Sequence, residues 1–420
     1  MKKPEALKYK VFDILSQLAE TKNVKAFVIG GYVRDFFLGI ANDDIDIVVE
    51  GSGIEFAKSF GELVNSKVSY YENYGTAMVR YKGYEIEFVG ARKEMYERGS
   101  RKPIVENGTL EDDQKRRDFT INAMAFSLNT ENFGELIDPF DGLKDLKNGI
   151  IRTPLDPDIT FSDDPLRMYR AVRFASKLGF NIEHTAYKSI MKNKDRVFIL
   201  SRERITEEVD KMLTYKSPKK GLSLLYALGL WCFPAPFNPY TIETIERLSN
   251  KKLRWFMLCY SYVVSDYSGY MRDLRLPQEY AKYMNRIIHT FRLLYTLPVP
   301  TSPLIRCCLD VSKEDTRDAL TLNHAFHLAL EQYDPEDLSL WHKAVEDMIL
   351  ENEKEYCHFR LCLDGNEMAE LSGLSGKPLG DLLKEVKGMI FSGELENTVT
   401  SVSGYVQCKR IKNKIQYSNE

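Results

Sequence analysis

The sequence lacks any apolar run near the roughly 20 residues that a helix needs to cross a bilayer. Its opening stretch, MKKPEALKYKVFDIL, has no apolar core followed by a small-residue cleavage site, so no secretory leader is expected. Cysteine is missing from the first half, and the seven that occur from Cys232 onward follow neither metal-finger nor disulfide-framework spacing. A reducing, cytoplasmic setting is the expectation. An excess of charge of one sign is missing too: the formal net charge is −3 over 420 residues. That excludes a globally basic nucleic-acid binder and leaves local patches. Three such patches are Lys216/Lys219/Lys220, Lys251/Lys252/Arg254 and Lys409/Arg410/Lys412/Lys414, each read as a solvated face before it is read as an RNA contact.

What is present is an ordinary globular composition, 44% hydrophobic and 28% charged, in a chain too long for one core. Up to about residue 145, β-branched and aromatic runs predict strands over 25–30, 45–49, 67–71, 76–81 and 84–90, after a helix-period stretch that starts at Glu5. From about 150 the periodicity becomes helical, with no convincing strand to the end. The fold class expected is α+β: a head built on one mixed sheet, followed by an all-helical remainder. Proline-rich FPAPFNP (233–239) and LPVPTSP (297–303) read as joints.

Three motifs carry chemistry. In the first, Gly30 and Gly31 end a strand and open GGYVRD (30–35), where a glycine turn and helix start suit a phosphate and Arg34 suits its charge. DDIDI follows, and Asp44 and Asp46, two apart in a strand, share a face. Two ionised acids side by side call for a hard divalent cation such as Mg²⁺, with substrate phosphate completing its shell. A third acid is expected from YEIEFVG (84–90), where Glu85 and Glu87 alternate with Ile86 and Phe88; Glu85 is the first choice. In the second motif, RRDFTINAMAF (116–126), Arg116 and Arg117 suit a triphosphate, Asp118 suits an arginine or a ribose hydroxyl, and FTINAMAF reads as a buried segment. In the third, SDDPLRMYRAVRF (162–174), Ser162 or Asp163 is expected to cap a helix with Pro165 in its first turn. Asp164 and Arg167 would be helical neighbours offering an acceptor beside donors. Cytosine and adenine both show an amino donor next to a ring-nitrogen acceptor, whereas uracil and guanine show the reverse, so one Asp–Arg pair accepts C and A. Arg170 and Arg173 continue the row, but each i+3 step drifts about 60°, so Arg173 braces the head or touches RNA.

Together these motifs, in the order GGYVRD, DDIDI, RRDFTINA, LIDPFDGLKDL, DDPLRMYRAVRF and SRERITEE, resemble the class II CCA-adding enzyme and poly(A) polymerase family over residues 25–230. LDGNEMAELSGLSGKPLGDLLKEVKGMIFSGELEN (363–397) resembles the tail of the compact bacterial members. The resemblance implies a polymerase-beta-like nucleotidyltransferase head in 1–149, a base-reading neck in 150–230, a helical body in 231–362 and a tRNA-contacting tail in 363–420. It implies Asp44 and Asp46 as Mg²⁺ ligands, and Gly31, Arg34, Arg117, Asp164, Arg167, Arg170 and Arg173 as nucleotide contacts. It implies CTP and ATP as substrates and tRNA as the partner. The usual neck motif opens Glu-Asp where this chain has Asp163-Asp164, and no His-Asp dipeptide marks the phosphohydrolase domain of larger relatives. A poly(A) polymerase, a CC-only or A-only enzyme and a non-catalytic RNA binder are the rival readings. The charged, glycine-containing segment 91–110 is expected to act as a mobile lever that matters more for A than for C addition.

Overall fold

The apolar and alternating runs become strands within a residue of where the pattern places them. The computed structural model describes residues 5–72, 75–95, 104–233, 236–260, 267–294, 313–331, 333–391 and 393–416. Chain contacts divide it into Met1–Cys232 and Phe233–Glu420.

In the first unit the strands are β1 (Ala26–Ile29), β2 (Asp44–Val49), β3 (Val68–Tyr71), β4 (Thr76–Tyr81), β5 (Tyr84–Gly90), β6 (Arg92–Met95), β7 (Ile104–Asn107), β8 (Ala125–Ser127) and β9 (Leu136–Ile137). Seven form a mixed sheet in the order β3-β4-β5-β2-β1-β8-β9. Only β2 and β5 run parallel, in a register that sets Asp44 opposite Glu85 and Asp46 opposite Glu87. β1 is buried along its whole length because it is central, paired to β2 on one side and β8 on the other. Helix α1 (Lys10–Lys22) precedes the sheet; α2 (Gly31–Phe37) follows β1, and α3 (Gly53–Val64) follows β2. Ser52 caps α3 by accepting from Glu55 N at 3.2 Å. Phe56 and Phe60 of α3 pack tilted against Phe88 at ring separations of 5.9 and 5.5 Å, which closes one face of the sheet. Phe88 and Ile47 are fully buried there, so the alternating acids of β2 and β5 are left on the opposite face.

β6 and β7 pair with each other apart from the main sheet. They hold the two ends of the segment expected to be a lever; its middle, 96–103, lies outside the described residues. Then come α4 (Leu110–Lys115), started by a Thr109–Asp112 capping box, and α5 (Gly142–Asn148). Beyond these stand α6 (Pro157–Asp163), α7 (Leu166–Leu178), α8 (His184–Asn193), α9 (Arg202–Met212) and α10 (Lys219–Ala227). α7 is the hub, packed on α9 and α10, and Tyr169 is buried with its hydroxyl donating to Leu230 O at 3.0 Å. The expected absence of strands beyond 150 is corrected by one parallel pair, β10 (Ile150–Ile151) and β11 (Asn181–Ile182). Two-residue strands are too short to show periodicity.

A second correction concerns the start of α7. Ser162 and Asp163 are not its caps: they end α6, which Asp156 caps through Asp158 N. Asp164 stands between the helices with φ −130° and ψ 96°. A residue before proline is pushed out of the helical region by the ring of the next residue, so Pro165 breaks what would otherwise be one helix.

The second unit, where described, is helical. Its first helices, Pro239–Arg247 and Lys251–Cys259, begin at Asn238 and Asn250 caps. Trp255, Phe256, Tyr267 and Phe291 are fully buried. Toward its end Leu363, Met368, Leu382, Val386, Val402 and Val406 form a separate apolar cluster. The joint expected over 297–303 lies outside the described residues, and no helix of the described residues is long and apolar enough to cross a membrane.

Candidate active site

A cavity of about 1000 Å³ opens between the acidic face of the sheet and α7. All twelve sequence-derived candidates line it: Gly30, Gly31, Arg34, Asp44, Asp46, Glu85, Arg117, Asp118, Asp164, Arg167, Arg170 and Arg173. Gly30 has φ +81°, and a Cβ there would lie 2.9 Å from Arg117 Nη1 and 3.0 Å from Asp46 Oδ2. Only glycine satisfies both the dihedral and the space.

Burial pushes the Asp46 carboxyl up to about 6; Arg117 opposes the rise, while Glu87 and Asp44 add to it. Acids in this arrangement repel one another, and their oxygens are the donors a hard divalent cation prefers. Among the described residues no group of three or more acids, histidines and cysteines is gathered tightly enough to hold a metal by itself. Glu85 is drawn aside: its Oε1 accepts from Arg80 Nε at 2.7 Å across the β4–β5 pair. Glu87 lies opposite Asp46 on the same cavity wall and its charge acts on that carboxyl, whereas the first-choice Glu85 lies opposite Asp44 and is tied to Arg80.

The arginines are held by the protein. Arg34 is buried, donating to Asp35 Oδ1 from Nε and to Asn122 Oδ1 from Nη1, both at 2.7 Å. Asp113, fully buried on α4, accepts from Arg117 Nε at 3.0 Å and from Arg116 Nε at 3.0 Å. Asp118 accepts from Arg170 Nε at 2.7 Å and from Asn122 Nδ2 at 3.0 Å. Burial would raise the Asp118 carboxyl, but Arg170 and the Asn122 hydrogen bond outweigh it and hold it at about 2. Arg173 is paired with buried Glu208 of α9 at 2.5 Å and reaches the Tyr215 hydroxyl at 3.1 Å. The guanidiniums of Arg34, Arg170 and Arg173 surround the Phe174 ring at 5.2, 5.6 and 4.3 Å.

Asp164 and Arg167 are not neighbours within one helix as expected, since Pro165 keeps Asp164 extended. They meet through the backbone instead: Arg167 N donates to Asp164 O at 3.0 Å. The Asp164 carboxylate accepts from Leu166 N at 3.2 Å, and Arg167 Nη2 donates to Arg116 O at 2.6 Å. Each side chain is pinned on one side and keeps unused hydrogen-bonding atoms on another.

Sequence reasoning passed over Asp113 and Asn122. The signal for Asp113 was an acid three and four residues before two arginines, the spacing of one helical turn; Asn122 had none, because its partners lie elsewhere in the chain.

Residues 26–152 match the family model described as "Poly A polymerase head domain", and residues 179–236 match "Probable RNA and SrmB-binding site of polymerase A". The CCA-adding enzyme of Ligilactobacillus salivarius is 35% identical over 66% of this chain and 69% of its own length. The A-adding tRNA nucleotidyltransferase of Geobacter sulfurreducens is 35% identical over 59% of this chain, and that of Halalkalibacterium halodurans 31% over 58%. The chain spans only 28% and 59% of the lengths of these two A-adding relatives. The Thermotoga maritima CCA-adding enzyme, solved in complex with tRNA, superposes with a TM-score of 0.65 at 25% identity, covering 95% of this chain and 94% of that one.

Proposed function

This chain belongs to the CCA-adding enzyme and poly(A) polymerase family of nucleotidyltransferases, and on that footing we propose that it builds or repairs the 3′-terminal CCA of tRNA from CTP and ATP without a nucleic-acid template. The observation that carries the reading is one cavity holding the same-face acids of β2 together with an Asp–Arg pair at the start of α7. The first can serve phosphoryl transfer and the second can select a base.

Members of this family generally use a divalent metal; here Mg²⁺ would be held by Asp44 and Asp46, with Glu87 beside them in preference to Glu85. When bound it lowers the pKa of the RNA 3′-hydroxyl and offsets triphosphate charge. The hydroxyl attacks the α-phosphorus in line and pyrophosphate leaves. Arg34 and Arg117, fixed by Asp35 and Asp113, supply oriented donors to the triphosphate at the Gly30–Gly31 turn. Asp118 sets Arg170; its oxygens are taken up by Arg170, Asn122 Nδ2 and Phe119 N, so its part is to position that guanidinium rather than to touch the ribose. Asp164 accepts the amino group shared by C and A, while the spare guanidinium donors of Arg167 meet the adjacent ring nitrogen. A cytoplasmic setting fits a thiol outside any disulfide, such as Cys232.

The A-only alternative has the A-adding relatives behind it, but those matches cover less than two thirds of this chain. The likeness that extends over both units is to a CCA-adding enzyme. The direct test is extension of a tRNA lacking its last three residues, using purified protein, CTP, ATP and Mg²⁺. Growth by C, C and A in the wild type, and none in Asp46→Ala, is the expected result. No extension by the wild type overturns the proposal.

A further inference from the structure

Several donors of the cavity are joined at one buried side chain. Asn122 ends the 3₁₀ turn Thr120–Asn122, which lies between α4 and β8, and it is buried. Its Oδ1 accepts from Arg34 Nη1 at 2.7 Å, and its Nδ2 donates to Asp118 Oδ1 at 3.0 Å. Its backbone oxygen accepts from Arg117 Nη1 at 3.3 Å. A guanidinium only donates and a carboxylate only accepts, so these two neighbours leave the amide a single orientation. At this size only an amide presents an acceptor to one and a donor to the other. An aspartate there would set a second carboxylate against Asp118, and a leucine would answer neither partner.

The bonds run without a break from α2 to α7. Arg34 donates to Asp35 and to Asn122, Asn122 donates to Asp118, and Asp118 accepts from Arg170 Nε at 2.7 Å. One end lies under the glycine turn, where a Cβ on Gly31 would come 3.7 Å from Arg34 Nη2. The other lies on α7, about one turn past Arg167. Arg34 and Arg170 approach the same Phe174 ring, at 5.2 and 5.6 Å. Two guanidiniums beside one ring repel each other, so their spacing has to be fixed by other groups. Asp35 and Asp118 each hold one of them, and the Asn122 amide ties the two holds together.

We propose that Asn122 is a positioning residue for the incoming nucleotide: it fixes Arg34 and Arg170 relative to each other, so that the triphosphate turn of the head and the base-reading start of α7 meet the nucleotide as one frame. The inference rests on the nucleotide contacts of the proposed function and adds what keeps them in mutual register. Asn122 reads no base, so the same frame serves C and A.

The test is steady-state kinetics of the full-length protein, varying CTP on tRNA that lacks its CCA end and ATP on tRNA ending in CC. Asn122→Leu keeps the branched shape of the side chain and removes both bonds. A hydrogen bond to a charged partner is worth roughly tenfold to a hundredfold, so KM for CTP and KM for ATP should each rise by a factor in that range. KM for tRNA should stay put. Asn122→Asp keeps an acceptor for Arg34 but turns a second acceptor on Asp118, and should raise both nucleotide KM values as well. Because the amide works through Arg34, the effects of Asn122→Leu and Arg34→Met should not multiply. The double variant's KM for CTP should fall short of the product of the single effects by roughly twofold or more. Circular dichroism checks that each variant is folded. An unchanged nucleotide KM in a folded variant overturns the proposal, and so does a rise in KM for tRNA equal to that for the nucleotides, the sign of general damage. Single effects that multiply overturn it too, as does failure of both Asn122 variants to fold, which would make the residue part of the fold alone. Failure of the underlying reading shows separately, as a wild type that adds no nucleotide to either tRNA.

Discussion

Asp164 owes its position to one neighbour. Pro165 forbids it the helical conformation, and the carboxylate consequently projects ahead of α7 beside Arg167. If that carboxylate rejects the carbonyl oxygens of uracil and guanine, Asp164→Ala should relax selectivity by roughly tenfold to over a hundredfold, the worth of about 1–3 kcal/mol for a lost edge contact. The check is the ratio of rate constants for CTP, ATP, UTP and GTP on tRNA lacking its CCA end; an equal fall in all four would make the pair structural. Asp118 gives a pH prediction. Its carboxyl is held at about 2, below the ordinary carboxylate value of 3.8, so its ionised form stabilises the fold above about pH 4 and that contribution fades as pH falls toward about 2. Urea midpoints of wild type and Asp118→Asn should differ most near neutral pH and converge as the solution is acidified through that window. A constant gap would mean that the stabilisation does not come from the ionised carboxylate.

At the scale of elements, β2 and β5 were legible because their acids and apolar residues alternate, and one covered sheet face is all that such alternation requires. What separates Glu85 from Glu87 was not legible, since it is the contact of Glu85 with Arg80 on a third strand. FTINAMAF reads as buried and is buried, yet only Ala125 and Phe126 within it are strand. β6 (RKEM) and β7 (IVEN) were missed because neither four-residue run alternates apolar with polar residues. The α7–α9 contact was invisible in the same way: Arg173 looked like a ligand contact or a brace, and its partner Glu208 lies in another helix. Both ends of that pair are almost fully buried, at 9% and 5% side-chain exposure. Removing one end of a buried pair strands the other and costs about 3–5 kcal/mol, and the remaining Tyr215 hydrogen bond favours the lower end. Glu208→Ala should lower the urea midpoint of the first unit accordingly, while Glu207→Ala, exposed on the same helix, should stay within about 0.5 kcal/mol of wild type. Equal effects would show that the pair is not what joins these helices.

For the whole molecule, a net charge of −3 supplies no global field for a polyanion, so attraction for the proposed RNA substrate would have to come from local patches. The head was readable because its motifs are local; the partition into Met1–Cys232 and Phe233–Glu420 was only hinted at by the proline-rich stretch at the boundary. On the proposed function, one acid pair and one base-reading pair, in one cavity, would suffice to add different nucleotides in order. Three tRNAs, ending before the first C, after C and after CC, each offered a single nucleotide with Mg²⁺ and sequenced at the 3′ end, test that most directly. The account predicts C on the first two, A on the third, and no U or G on any. Addition of A alone, confined to the tRNA ending in CC, or unlimited A on all three, would contradict it.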